Sequence, residues 1–215
     1  MTRYGIDVVW KVAAILVLIT AISWLAATNA TVRATVSIIS GLLMLFTLYF
    51  FRDPERKTPG GDDLIVSPAD GKVVLIKEVH EDEYLHQDAT QISIFLSPFD
   101  VHVNRFPVSG KVEYFRYIPG KYIVAFDEKA SVANERTHIG IANLKAKILF
   151  KQIAGFIARR IVADVRVGTD AIAGTRFGMI KFGSRVDLCV PKSTEVRVTV
   201  GQRVVAGETV MAVFR

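Results

Sequence analysis

Two neighbouring residues near the C-terminus, Gly183 and Ser184, have types and order that could do chemistry on the chain itself. They stand within Phe177-Gly178-Met179-Ile180-Lys181-Phe182-Gly183-Ser184-Arg185-Val186-Asp187, where a tight turn is expected between two apolar-alternating segments. A serine directly after glycine has an unhindered peptide carbonyl beside its hydroxyl, so attack on its own backbone is open to it. The plainer reading is a hairpin turn, because glycine supplies positive φ and serine bonds its own backbone. A neutral hydroxyl is weakly nucleophilic and needs a base, itself oriented by a third group.

The other reactive side chains are sparse. The four histidines, His80, His86, His102 and His138, form no His-x-His pair, and this argues against a zinc peptidase of the lysostaphin type and for no metal. His80 and His86 fall in a polar connection and read as surface, while Thr137 and Ile139 make His138 look like a strand residue. The single Cys189 allows no intrachain disulfide and reads as a small packed strand residue without a role. Around Val200 to Glu208 the turns resemble those of biotinyl and lipoyl carriers, which suggests a non-enzymatic binding module, but Lys192 lacks the neighbours of a modified lysine. An intact chain on a denaturing gel would favour that module.

The elements that must position these residues divide unevenly along 215 residues, 51% of them hydrophobic. Two apolar runs, 12–27 and 34–51, flank a polar stretch with Asn29, Thr31 and Arg33. Neither run has a polar stripe, as expected of helices in lipid. Each is slightly shorter than the ~20 residues of a comfortable span, so a spanning hairpin and a shallow insertion both stay open. A cleaved signal peptide built on Arg3 and Lys11 would leave the second run as a stop-transfer segment. On either route Arg52, Arg56 and Lys57 place the remainder of the chain on the cytoplasmic side. A net charge of +6 favours an anionic surface, and with no nucleic-acid motif beside an anchor, acidic lipid is the economical partner.

Residues 1–51 are thus expected to anchor, 52–63 to link, and 64–215 to form a β-rich domain. Strands are expected at 64–66, 73–79, 91–96, 110–117, 138–143, 145–153, 185–190, 195–200 and 209–214, with one helix around 154–163. The fold class is mainly β (α+β), a hydrophobic helical hairpin followed by an antiparallel barrel or sandwich.

Three separated blocks carry a resemblance. They are Ser67-Pro68-Ala69-Asp70-Gly71-Lys72-Val73, then Phe95-Leu96-Ser97-Pro98-Phe99-Asp100-Val101-His102-Val103-Asn104-Arg105-Phe106-Pro107, then the Phe177 to Asp187 block. With Asn134-Glu135-Arg136 and the Gln152 to Ile161 stretch between them, they resemble, in order, the short prokaryotic branch of the phosphatidylserine decarboxylase family. The resemblance covers the chain from about Arg52 to its C-terminus.

It implies a lyase made as a proenzyme, a zymogen of phospholipid biosynthesis at the inner (cell) membrane. Ser184 attacks the Gly183 carbonyl, and autocatalytic cleavage leaves a β chain of 1–183 and an α chain of 184–215 that stay associated, with a homodimer among the assemblies allowed. Ser184 becomes a covalent pyruvoyl cofactor that forms a Schiff base with phosphatidylserine and leads to phosphatidylethanolamine. By position, Asp70 and His102 match the family's aspartate and first histidine. Residue by residue, Asp70-Gly71 reads equally as a hairpin turn and His102 as a bonded strand histidine. Relatives carry a second histidine three residues on, where this chain has Arg105, so His102 is left to serve both processing and decarboxylation, with His138 as a spare.

Overall fold

The computed structural model describes residues 1–120, 134–155, 160–181 and 184–215, in two compact units, Met1–Pro54 and Glu55–Arg215.

The first unit is a helical hairpin. Helices α1 (Ile6–Ala26) and α2 (Ala30–Phe50) have 21 residues each, longer than the apolar runs, because Ile6 to Lys11 and Ala30 to Arg33 join them. At 1.5 Å per residue each helix is about 31 Å long, close to the ~30 Å of a bilayer's hydrocarbon. Asn29 starts α2 by accepting the Thr31 N–H on its side-chain oxygen, 2.8 Å. Across the connection, Arg33 Nε donates to the Ala27 carbonyl at 2.7 Å and Trp24 Nε1 donates to Ser37 Oγ at 3.2 Å. At the other end Gly5 leaves room for the Phe51 ring, which a Cβ would meet at 2.0 Å. Trp10, Val17, Leu25 and Leu42 lie outermost, Leu25 being 89% exposed, a surface fit for lipid rather than water.

The second unit is built of antiparallel sheets. In chain order the strands are β1 (Leu64–Val66), β2 (Gly71–Glu81), β3 (Gln87–Leu96), β4 (Val103–Arg105), β5 (Gly110–Ile118), β6 (Arg136–Ala142), β7 (Lys147–Ala154), β8 (Arg160–Ala163), β9 (Asp170–Ala171), β10 (Arg176–Lys181), β11 (Ser184–Pro191), β12 (Glu195–Val196), β13 (Arg203–Val204) and β14 (Val210–Val213). The main sheet has eight strands ordered β13-β2-β3-β11-β7-β6-β5-β9, open at both edges, a curled half-barrel. Two three-stranded sheets, β4-β10-β8 and β1-β14-β12, complete the unit. All three line one core, with Ile65 and Met211 from the second small sheet, Phe177 and Ile180 from the first, and Ile94, Phe150 and Val186 from the main sheet.

Several expectations change. Ala154 and Arg160–Ala163 are strand where a helix was expected, because Arg160–Ala163 pairs with Gly178 to Lys181; residues 156–159 lie outside the described residues. The 195–200 strand forms only at Glu195–Val196, since Thr199 turns back and its N–H donates to Gln202 Oε1 at 3.1 Å. Strand β11, expected at 185–190, is buried along its whole length, because it lies between β3 and β7 with cover on both faces.

Candidate active site

Ser184 is the first residue of β11, opposite Leu96 of β3 and Ala154 of β7. The strand before it, β10, belongs to another sheet, where it pairs with β4 and β8. Among the described residues, β10 and β11 do not pair with each other and belong to different sheets. Gly183 itself lies outside the described residues. Ser184 shares its strand face with Val186 and Leu188, which point into the core. It is fully buried, and among the described residues no hydrogen-bond partner meets its Oγ.

His102 comes up to the same interior from the residue before β4. Its carbonyl accepts the N–H of Ile180 at 3.3 Å, which sets it beside the strand that leads into residues 182–183. The ring is buried, with Nδ1 at 2.9 Å from the Asp100 carbonyl. A carbonyl only accepts, so Nδ1 carries a proton and the lone pair of the neutral ring is on Nε2. Two residues on, Asn104 Oδ1 accepts from Gln152 Nε2 at 2.8 Å, and Gln152 Oε1 accepts from Thr137 Oγ1 at 2.7 Å. Gln152 is two residues before Ala154, the partner of Ser184, and points to the same face. This buried amide chain ties β4 to the main sheet next to the serine.

Asp70 stands between β1 and β2, and these strands do not pair with each other, so Asp70-Gly71 is not a hairpin turn. Its Oδ2 accepts from Arg56 Nη2 and its Oδ1 from the Ala206 N–H, both at 2.8 Å. Gly71 follows because a Cβ there would meet the Phe95 carbonyl oxygen at 2.2 Å. Asp70 joins the His102 segment through Pro68, whose carbonyl accepts the Arg105 N–H at 3.0 Å and Asn104 Nδ2 at 3.4 Å. Arg105 is buried, and its Nη1 donates to the Gly174 carbonyl at 2.9 Å.

The opposite face of the main sheet carries different polar groups. Arg185 and Asp187 form a buried two-pronged pair, Nε to Oδ1 at 2.7 Å and Nη2 to Oδ2 at 2.9 Å. His138 is on that face too, since its neighbour Ile139 points into the core; its Nδ1 is 2.5 Å from Glu83 Oε2. The sheet therefore separates His138 from the side chain of Ser184. His80 is exposed beside Asp88, and Lys192 Nζ is 2.7 Å from Glu78 Oε2 on the surface.

Asp100, Arg203, Asn104 and Thr137 are site neighbours that motif spacing did not single out. Asp100 and Asn104 flank His102 at two-residue spacing, a usable signal, whereas Arg203 reaches Asp100 from 103 residues away and leaves no local trace.

Comparison with known proteins gives the family. A family model described as phosphatidylserine decarboxylase matches residues 43–212. The chain belongs to the phosphatidylserine decarboxylase family. It is similar to the phosphatidylserine decarboxylase proenzyme of Chlorobium limicola, 45% identical over 214 residues and 100% of both chains. The Chlorobium phaeobacteroides proenzyme is 49% identical over 180 residues, 84% of each chain, and that of Amoebophilus asiaticus 48% over 185 residues, 86% of this chain and 82% of the relative. As a member of the phosphatidylserine decarboxylase family, the protein is a carboxy-lyase of proenzyme type.

Proposed function

We propose that this protein converts phosphatidylserine to phosphatidylethanolamine and carbon dioxide, using a pyruvoyl group made from Ser184 after self-cleavage between Gly183 and Ser184. The observation that carries this reading is the buried Ser184 hydroxyl, unbonded among the described residues at the start of a central strand. A buried polar group without a partner costs about 1–3 kcal/mol, and such groups persist where reactivity is needed.

In the processing step the Ser184 oxygen bonds to the Gly183 carbonyl carbon and the Gly183–Ser184 C–N bond breaks. The hydroxyl proton passes to a base and on to the freed amine. Loss of the residue-184 α proton then expels the upstream chain as a carboxylate. Water converts the dehydroalanine to a ketone with release of ammonia. When present, that ketone binds the amine of the substrate and takes up the electrons left as carbon dioxide departs.

His102 is assigned proton transfer through Nε2, because Nδ1 is engaged with the Asp100 carbonyl. Asp70, tied to Arg56 and Ala206, is assigned the orienting role in processing. With Arg105 committed to Gly174, His102 serves both stages. Helices α1 and α2 hold the enzyme in an anionic cell membrane, and Arg52, Arg56 and Lys57 favour a cytoplasmic β-rich unit.

The test is the intact mass of the denatured full-length protein beside Ser184→Ala. The expected result is two fragments split before residue 184, the smaller with a pyruvoyl-blocked N-terminus, and one uncut chain for the variant. An uncut wild-type chain would sink the reading.

A further inference from the structure

Asp100 holds more contacts than a surface loop needs. Its N–H donates to the Ser97 carbonyl at 2.9 Å, and its Oδ2 accepts the Ser97 N–H at 2.8 Å, closing residues 97–100 into a reciprocal turn. Its other carboxylate oxygen, Oδ1, accepts from Arg203 Nη2. Its carbonyl receives His102 Nδ1 at 2.9 Å.

We propose that Asp100, clamped by Arg203, is a positioning residue that sets the tautomer and ring orientation of His102. The proposal rests on the reading of His102 as the proton-transfer group. The carbonyl that meets Nδ1 belongs to the same residue whose carboxylate is held at both oxygens, so the position of that carbonyl follows the clamp. Asp100 is 8% exposed while Arg203 is 72% exposed, so the arginine reaches in from the surface strand β13, next to Lys72 of β2. A pair of two exposed side chains contributes little. Here one partner is buried and already fixed to the main chain, and loss of its cation leaves a buried carboxylate oxygen short of a donor. The effect expected is on geometry more than on stability.

The test uses the full-length protein carrying Arg203→Ala, Arg203→Lys or Asp100→Asn, with Lys192→Ala as a control that removes an exposed ion pair elsewhere. Two readouts are taken: the His102 ring ¹⁵N signals in a Ser184→Ala background, and kcat and KM of matured protein on phosphatidylserine vesicles. The expected result is a His102 ring protonated at Nδ1 in the parent and a shifted or mixed tautomer signal in Arg203→Ala. With it, kcat falls about tenfold to a hundredfold, the scale for a small misplacement of a reacting group, while KM stays within about twofold. Arg203→Lys recovers most of both, and Lys192→Ala changes neither. Unchanged His102 signals in Arg203→Ala overturn the positioning role whatever happens to activity. Shifted signals with unchanged kcat uphold the clamp and instead remove His102 from proton transfer.

Discussion

A serine hydroxyl in the core next to a strand junction differs from a cysteine in the same strand, and burial explains both. Ser184 is neutral and loses little reactivity by being buried, provided a base can take its proton. Cys189, five residues on, needs its thiolate to react, and burial first of all pushes its thiol up to about 12. Maleimide labelling of folded protein at pH 8 is therefore expected to be at least about a hundredfold slower than after denaturation. Fast labelling would show that the outer face of β11 is open. His138 gives a pH dependence on that same face. Burial pushes its imidazole below the ordinary value, against the hydrogen bond to Glu83, with Lys151 and Arg136 adding to the lowering. Glu83 is also held low: its burial, the largest single cause, pushes it up, but the hydrogen bonds from His138 and Tyr114 and the charges of His138 and Lys151 together outweigh that. The two directions compete, because a ring that resists protonation gives Glu83 less positive charge; the ring is the more deeply buried of the two, with its side chain 3% exposed against 33% for Glu83, and stays neutral. The unfolded chain then takes up the proton first, so stability is full above about pH 6.5 and falls as pH drops through the lower folded value. Denaturation midpoints at pH 7.5, 6.5 and 5.5 should fall in the wild type and stay flatter in His138→Gln. Parallel curves would exclude His138 as the cause.

Among the elements, β10 is the strand that precedes Ser184 in the chain, and its packing tolerates little. A Cβ on Gly178 would stand 2.1 Å from the Val162 carbonyl oxygen, a backbone atom that cannot move without shifting β8. Gly178→Ala is expected to cost about 1–3 kcal/mol, the range for overpacking, and to slow appearance of the smaller fragment. Wild-type stability and cleavage rate in that variant would mean that β8 yields freely. The junction also shows what could be read from sequence. Leu64–Val66 forms where its apolar triplet predicts, and the approximate extents of β2, β3, β5, β6 and β7 follow from alternation between turn residues. What alternation does not encode is partnership. Arg160 to Ala163 looks helical locally but becomes strand because Gly178 to Lys181 offers it an open edge. Gly183-Ser184 looks like a hairpin because β10 and β11 both alternate, yet they enter different sheets. The motif blocks single out Ser184 and His102 as candidates; the hold of Arg203 on Asp100 has no such signal, since a contact across 103 residues has no spacing rule.

For the molecule as a whole, the exposed apolar surface of α1 and α2 predicts that full-length protein stays in the membrane pellet through high salt and alkaline carbonate and is released by detergent. Release by salt alone would mean that charge, not these helices, holds it. The eight-stranded sheet has a consequence for timing. Its middle strand, Ser184–Pro191, is among the last to be made, while β3 and β7 on either side of it are made much earlier. A ribosome delivers the chain from its N-terminus, so α1 and α2 emerge first and the gap between β3 and β7 is filled near the end of synthesis. The closing pair Leu64 and Val213 waits later still. A chain terminated before residue 184 thus has nothing to put in the gap between β3 and β7, so the fold itself inspects the chain for completeness before its core can close.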